Sequence, residues 1–385
     1  MTNQDHFPTS LLNQPHQARW AYFYHKMVAH PRLMAIDQEL KQAIQYAPKG
    51  RLILLFGPTG VGKTTLRRGV ERALIDALLP ELEQDRGRIP VASVEAVAPE
   101  QGNFDWLDFY QRALLRLHEP LVNDKIVYDA ALEDGASDRQ QTGQVVSQAK
   151  ANLRTLRQAL EKCLRHRRPA AFIIDDAHHL QKIAGPRRLQ DQMDAVKSLA
   201  NRSDAVHVLI GTYELLNLTN LNDQLSRRSY PIAFTRYQLS CDEDVNAFKA
   251  VLKTFQHHLP LSKEPNLVQH WDYFYEHSAG CVGILKLWLC DTLAAALEHD
   301  QKTLTDSYLQ RYAMSPDRLM NIVREIIEGE RKQEELEEQR RQIRAVLGLE
   351  LDPGFTEPIK PSHKKGHVGE RHPVRDPIGR QPYDR

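Results

Sequence analysis

Gly57-Pro58-Thr59-Gly60-Val61-Gly62-Lys63-Thr64 is a complete G-x-x-x-x-G-K-[ST] loop, a pattern whose chemistry is the grip on a polyphosphate. Its glycines let successive backbone N–H groups converge on phosphate oxygens, and Lys63 reaches the β- and γ-phosphates. Thr64 offers a hydroxyl to Mg²⁺, and Thr65 follows inside the anion-binding first turn of a helix. A second cluster, Asp175-Asp176, closes a wholly apolar stretch. Carboxylates there suit a Mg²⁺ ligand, Asp175, and a group that orients and polarises an attacking water, Asp176. Asp176 is shorter than a glutamate by one methylene, so slow hydrolysis or help from His178 is expected.

Both clusters need strands and helices to position them. Leu52-Ile53-Leu54-Leu55-Phe56 reads as a buried strand, and the residues from Thr65 to Leu74 as an amphipathic helix, so the loop has its required context. The runs Ile89–Val97, Ala170–Ile174, Ala205–Thr212 and Tyr230–Phe234 read as further strands. The segments around Phe104–Leu115 and Ser147–Leu164 read as helices between them. That alternation predicts an α/β protein with a doubly wound parallel sheet flanked by helices, acids and loop meeting at its carboxyl edge. Thr212 then ends a strand, where it reads either as a polar group beside the γ-phosphate that senses the bound nucleotide or as a plain strand-end threonine. Arg227 and Arg228 follow a short helical stretch at an edge, where they read either as arginines supplied to a neighbouring subunit or as a solvated basic turn.

The sequence divides into an N-terminal helical segment (1–48), an α/β nucleotide-binding domain (49–238), an all-helical lid (239–320), a charged helix (321–350) and a tail (351–385). In the first segment the aromatic stretch Arg19–Val28 reads as core, with a share in the nucleotide pocket near His30-Pro31 as the alternative. In the lid, Gly280–Lys286 opens a helix from which Lys286 either reaches back to the phosphates or stands as a surface lysine. The tail holds six prolines between Pro353 and Arg385 and few apolar residues, which predicts disorder.

At 385 residues with 41% hydrophobic content the chain can bury one large or two modest cores, which excludes disorder as its main state. Lys plus Arg total 51 against 50 for Asp plus Glu, so any nucleic-acid contact must come from a local patch. The four cysteines form no C-x-x-C pair, as expected of reduced thiols. With no apolar run near the roughly 20 residues of a membrane span, a soluble, cytoplasmic protein with no membrane partner is expected.

The ordered set of loop, Asp175-Asp176, Gly211-Thr212, Arg227-Arg228 and a glycine-bearing lid helix resembles an AAA+ ATPase. More narrowly, the chain is similar to the TnsC/TniB family of transposition regulators. The likeness lies in Ala29-His30-Pro31-Arg32, Glu95-Ala96, Gly102-Asn103-Phe104-Asp105-Trp106, Asp108-Phe109-Tyr110, Asp175-Asp176-Ala177-His178-His179-Leu180 and the tail segment from Arg371 to Gly379. The resemblance implies ATP and Mg²⁺ as cofactors and a homo-oligomer, a ring or helical filament around duplex DNA. It also implies a transposase and a target-selector protein as partners. Two residues depart from the common pattern: Asp176 where Glu is commoner, and Lys286 where many relatives carry Arg. DNA contacts are expected after Asp105–Gln111 and within 123–150, with Lys125, Arg139 and Lys150 as candidates. A helicase loader that binds single-stranded DNA and a small-molecule P-loop kinase are the competing readings.

Overall fold

The computed structural model describes residues 6–48, 50–99, 102–122, 153–182, 186–219 and 229–347. Residues 1–333 make one compact unit and 334–385 a second. The expectations for the 123–150 loop, for Arg227 and Arg228, and for the tail concern residues outside those described.

Five parallel strands form one sheet in the order β2-β3-β4-β1-β5: β1 Leu52–Phe56, β2 Val91–Glu95, β3 Ala171–Asp175, β4 Val206–Gly211 and β5 Ser229–Ala233. Burial explains the order. β1 and β3 are buried at every position and stand inside the sheet, whereas β2 alternates and takes an edge. Each large apolar side chain of these inner strands contributes about 2 kcal/mol by leaving water. β5 contains Pro231, which lacks an N–H for a second ladder, and it takes the other edge beside β1.

Helices cover the sheet. α1 is His16–His25 and α2 is Pro31–Tyr46; α3, Lys63–Gln84, follows the glycine loop. α4, Trp106–Arg116, starts at Asp105, whose carboxylate accepts from the Leu107 and Asp108 amides. α5 is Leu153–Arg167, α6 Pro186–Arg202 and α7 the short Leu216–Thr219. From α2, Leu33, Leu40 and Ile44 join Ile53, Leu55, Leu66 and Val208 in one core.

Beyond β5 lie α8 (Asp242–His258), α9 (Trp271–Ser278), α10 (Val282–Glu298) and α11 (Asp306–Tyr312). α10 is apolar around much of its circumference and sits at the centre of a second core with Phe248, Phe255, Phe274, Trp288 and Leu293. The aromatic helix α1 packs into this second core and not onto the sheet. Phe23 is fully buried there, and Trp20 donates its indole N–H to the Cys290 carbonyl at 3.2 Å. The 1–48 segment is thus shared between two cores, α1 with the helices and α2 with the sheet. α12, Pro316–Val346, carries the charged stretch. No single described helix is long and apolar enough to cross a membrane.

Candidate nucleotide site

The glycine loop is shaped by contacts only glycine permits. A Cβ on Gly57 would meet the Phe234 carbonyl oxygen at 2.0 Å, and Gly60 and Gly62 take φ of +76° and +118°. Gly62 then caps α3, whose N-terminal dipole faces the loop. Lys63 donates from Nζ to the Gly57 carbonyl at 2.9 Å and the Pro58 carbonyl at 2.8 Å, closing the loop on itself. Burial pulls the Lys63 ammonium down to about 8, opposed by Glu325, Cys281, Asp176 and Asp175, which favour the charged form. Thr64 is exposed at the start of α3 and Thr65 lies half-buried beside it.

Register sets the rest of the site. Phe56 of β1 faces Gly211 of β4, and Ile174 of β3 faces Leu209 of β4. The loop, Thr212 and Asp175-Asp176 therefore leave adjacent strands at the same carboxyl edge, where open α/β sheets bind their ligands. Thr212 follows Gly211 directly and accepts from the Glu214 amide at 3.4 Å, holding a turn at Tyr213–Leu215.

Asp175 is the last residue of β3. Its Oδ2 lies 2.8 Å from Arg67 Nε, off the N–H axis, so the contact is an ion pair without a well-aligned hydrogen bond. Burial raises the Asp175 carboxyl above its ordinary range while Arg67 pulls it down. Arg67 also meets Glu71, which accepts from Ser93 Oγ of β2. Asp176 takes a left-handed φ of 50° and opens a tight helical turn over Ala177–Gln181. Asp tolerates that region better than most residues, and such conformations gather at functional sites. His178 and His179 follow it with their rings tilted by 45° and their centroids 4.1 Å apart. Burial, joined by the neighbouring His179, lowers His178 to about 4, so its ring is neutral at pH 7. The Nδ1 atoms of both histidines are buried without a hydrogen-bond partner among the described residues.

The Thr64 hydroxyl and the Asp175 carboxylate are oxygen donors, the chemistry a hard divalent cation such as Mg²⁺ takes, so the residues fit that ion. Arg67 engages Asp175 from the same chain, and a cation there would exchange with or share that contact.

On the other side of the loop a small cavity of about 80 Å³ is lined by His30, Leu33, Val61, Thr65, Val282 and Lys286, among others. His30 shares a 2.8 Å hydrogen bond with the Tyr237 hydroxyl and accepts from the Leu33 amide, which fixes the start of α2 at this cavity. Lys286 lines the cavity but turns its ammonium onto the Phe23 carbonyl and ring. Burial lowers Lys286 to about 8. Gly283 donates its N–H to the Gly60 carbonyl at 2.7 Å, so the α10 backbone touches the glycine loop, and the Ile284 side chain lies against Gly60 as well.

Residues 48–219 match the family model described as an AAA domain. The matched stretch runs from the approach to β1 past β4 and holds the loop, the paired acids and Thr212. No curated protein matches the chain. Similar solved structures include the ORC1 protein of Aeropyrum pernix in complex with DNA, at 16% identity, 76% of this chain, 68% of that one and a TM-score of 0.48. The ORC2 protein of the same organism, in ADPNP–ADP complexes, has 12% identity, 75% and 70% coverage and a TM-score of 0.45. A Walker-type ATPase of Pyrococcus abyssi has 16% identity, 80% and 75% coverage and a TM-score of 0.38.

Two residues beside the phosphate loop escape a motif reading. Arg67 lies one helical turn past Lys63, and a buried strand-end acid without a cationic neighbour was the signal that could have found it. Glu325 comes from α12: Thr59 Oγ1 donates to its Oε1 at 3.5 Å. No local pattern announces a contact 266 residues away.

Proposed function

We propose that this chain is an ATP-dependent, DNA-binding AAA+ regulator of DNA transposition that oligomerises on duplex target DNA, links target selection to the transposase and hydrolyses ATP. The observation that carries the nucleotide half is the convergence of the glycine loop, Asp175-Asp176 and Thr212 on one edge of adjacent parallel strands. The DNA and transposition half rests on the sequence resemblance to TnsC/TniB regulators.

In this reading the loop amides and Lys63 hold the phosphates, and the cavity at His30 and Val61 receives the base side of the nucleotide. Mg²⁺ held by Thr64 and Asp175 would supply charge neutralisation at the phosphates. Asp176 orients the attacking water and accepts its proton, with neutral His178 alongside. Thr212 reports on the terminal phosphate. Arg227 or Arg228 completes a neighbouring subunit's site, which makes assembly and turnover interdependent.

Negative-stain imaging of the protein with duplex DNA, with and without a slowly hydrolysed ATP analogue, tests this reading. Rings or filaments that need nucleotide and coat the duplex support it. Monodisperse particles that ignore duplex DNA and bind single strands would favour a helicase loader instead.

A further inference from the structure

The first half of α12 reaches the phosphate loop, where Thr59 Oγ1 donates to Glu325 at 3.5 Å. Ile326 is 1% exposed and packs with Ala279 and Cys281 just ahead of α10 and with Ile284 in its first turn. Gly329 abuts Tyr213 so closely that a Cβ there would stand 2.2 Å from the ring. Glu330 takes Arg236 in a two-pronged pair at 2.9 and 3.0 Å, and Arg236 also donates to the Tyr275 hydroxyl at 2.9 Å. These contacts fix α12 to the strand-end turn, to the segment after β5 and to the lid, and they aim one further carboxylate at the loop. That carboxylate is Glu325, which meets Thr59 and lies in the field of Lys63.

Lys63 is the cation that reads the terminal phosphates in a loop of this type. A carboxylate in its field competes with a terminal phosphoryl group for the same ammonium, and repels that group once it is bound. A diphosphate meets Lys63 with its β-phosphate alone and so brings one group fewer into that competition.

We propose that Glu325 is a specificity-determining residue which biases the loop toward nucleoside diphosphate over triphosphate, its charge held in place by the docking of α12. This rests on the reading that the loop binds nucleoside phosphates. A triphosphate binds at the expense of the Glu325 contact and loosens residues 316–333, whereas a diphosphate leaves them seated. Burial raises the Glu325 carboxyl above its ordinary range, with Lys63 opposing, as expected of an acid held against a phosphate site.

The test measures dissociation constants of the full-length chain for ADP and for a non-hydrolysable ATP analogue, both with Mg²⁺, in the wild type and in Glu325→Gln. The glutamine keeps the shape and loses the charge. The variant should bind the triphosphate roughly tenfold tighter while ADP affinity moves less than about twofold. An equal change for both nucleotides, no change, or weaker triphosphate binding overturns the proposal. Hydrogen exchange across 316–333 should be faster with the triphosphate than with ADP, and Glu330→Ala should speed it with either. Exchange that ignores the nucleotide's identity overturns the docking argument. A wild type that binds neither nucleotide would sink the loop reading itself, a different result from binding both with an unaltered ratio in Glu325→Gln.

Discussion

Arg67 of α3 stands 2.8 Å from the carboxylate of Asp175 at the end of β3, so the helix that follows the phosphate loop supplies the counter-charge for the first strand-end acid. Both side chains are largely withdrawn from water, at 18% and 12% exposure, and the same guanidinium continues to Glu71 and through it to Ser93 of β2. The loop, the acid and the edge strand are thereby held in one electrostatic chain.

Removing Arg67 leaves the buried Asp175 carboxylate without its counter-charge, whereas removing Asp175 leaves Arg67 paired with Glu71. Arg67→Met should lower unfolding free energy by about 3 kcal/mol in urea titrations, and Asp175→Asn, which leaves Arg67 on Glu71, should cost less. The double variant should lose less than the sum of the two. Strict additivity would mean that the contact contributes nothing and that each residue acts through other neighbours.

Lys63 gives a pH signature. Its folded value of about 8 lies below the ordinary 10.5, so the fold disfavours the ammonium. That penalty is full below about pH 8 and vanishes above about 10.5. Lys63→Met should therefore raise stability at pH 7 and leave it nearly unchanged at pH 10.5, while abolishing nucleotide binding. In the wild type, triphosphate affinity should be flat below pH 7 and fall up to about tenfold per pH unit above pH 8. Lys286, also near 8, titrates in the same window. The profile must therefore persist in Lys286→Met, and a flat profile there would remove Lys63 from phosphate binding.

Asp176→Asn preserves size and removes the base. ATP affinity should stay within about threefold and turnover should fall by roughly 100-fold, in the range a positioned general base contributes. Unchanged single-turnover hydrolysis in that variant would move the role to another group, with His178 the first to examine.

The sheet was legible because its strands are short apolar runs bounded by turn residues, and the phosphate loop because its backbone demands fixed glycines at fixed spacing. Asp175 and Asp176 were legible because an acid closing an apolar strand has few structural reasons to be there. The partners of those residues were not. Arg67 looks like any helix-surface arginine until β3 is laid beside α3. Phe23 looks like core without saying which core, since an aromatic helix suits the sheet and the lid equally. The charged helix reads as solvated along most of its length, and only tertiary packing at Ile326, Gly329 and Glu330 brings Glu325 to the loop. Long-range contacts of single charged side chains leave no period or spacing behind.

The joint between lid and loop offers the sharpest steric test. Gly283 donates its N–H to the Gly60 carbonyl at 2.7 Å, and a Cβ on Gly283 would stand 2.4 Å from that same oxygen. The obstacle is backbone on both sides, so no side-chain rotation relieves it. Gly60 cannot yield easily, because its φ of +76° and its closeness to Ile284 already restrict it. Gly283→Ala should push α10 off the loop and open the cavity at Val61, lowering nucleotide affinity by roughly tenfold or more and costing about 2 kcal/mol in stability. Gly69→Ala, on α3, is the control. Its added methyl meets only an Asp37 oxygen at 3.8 Å, and replacing a helix-interior glycine should stabilise by up to about 1 kcal/mol. Wild-type affinity in Gly283→Ala, with the control behaving as stated, would show that lid contact at this point is dispensable for holding the nucleotide.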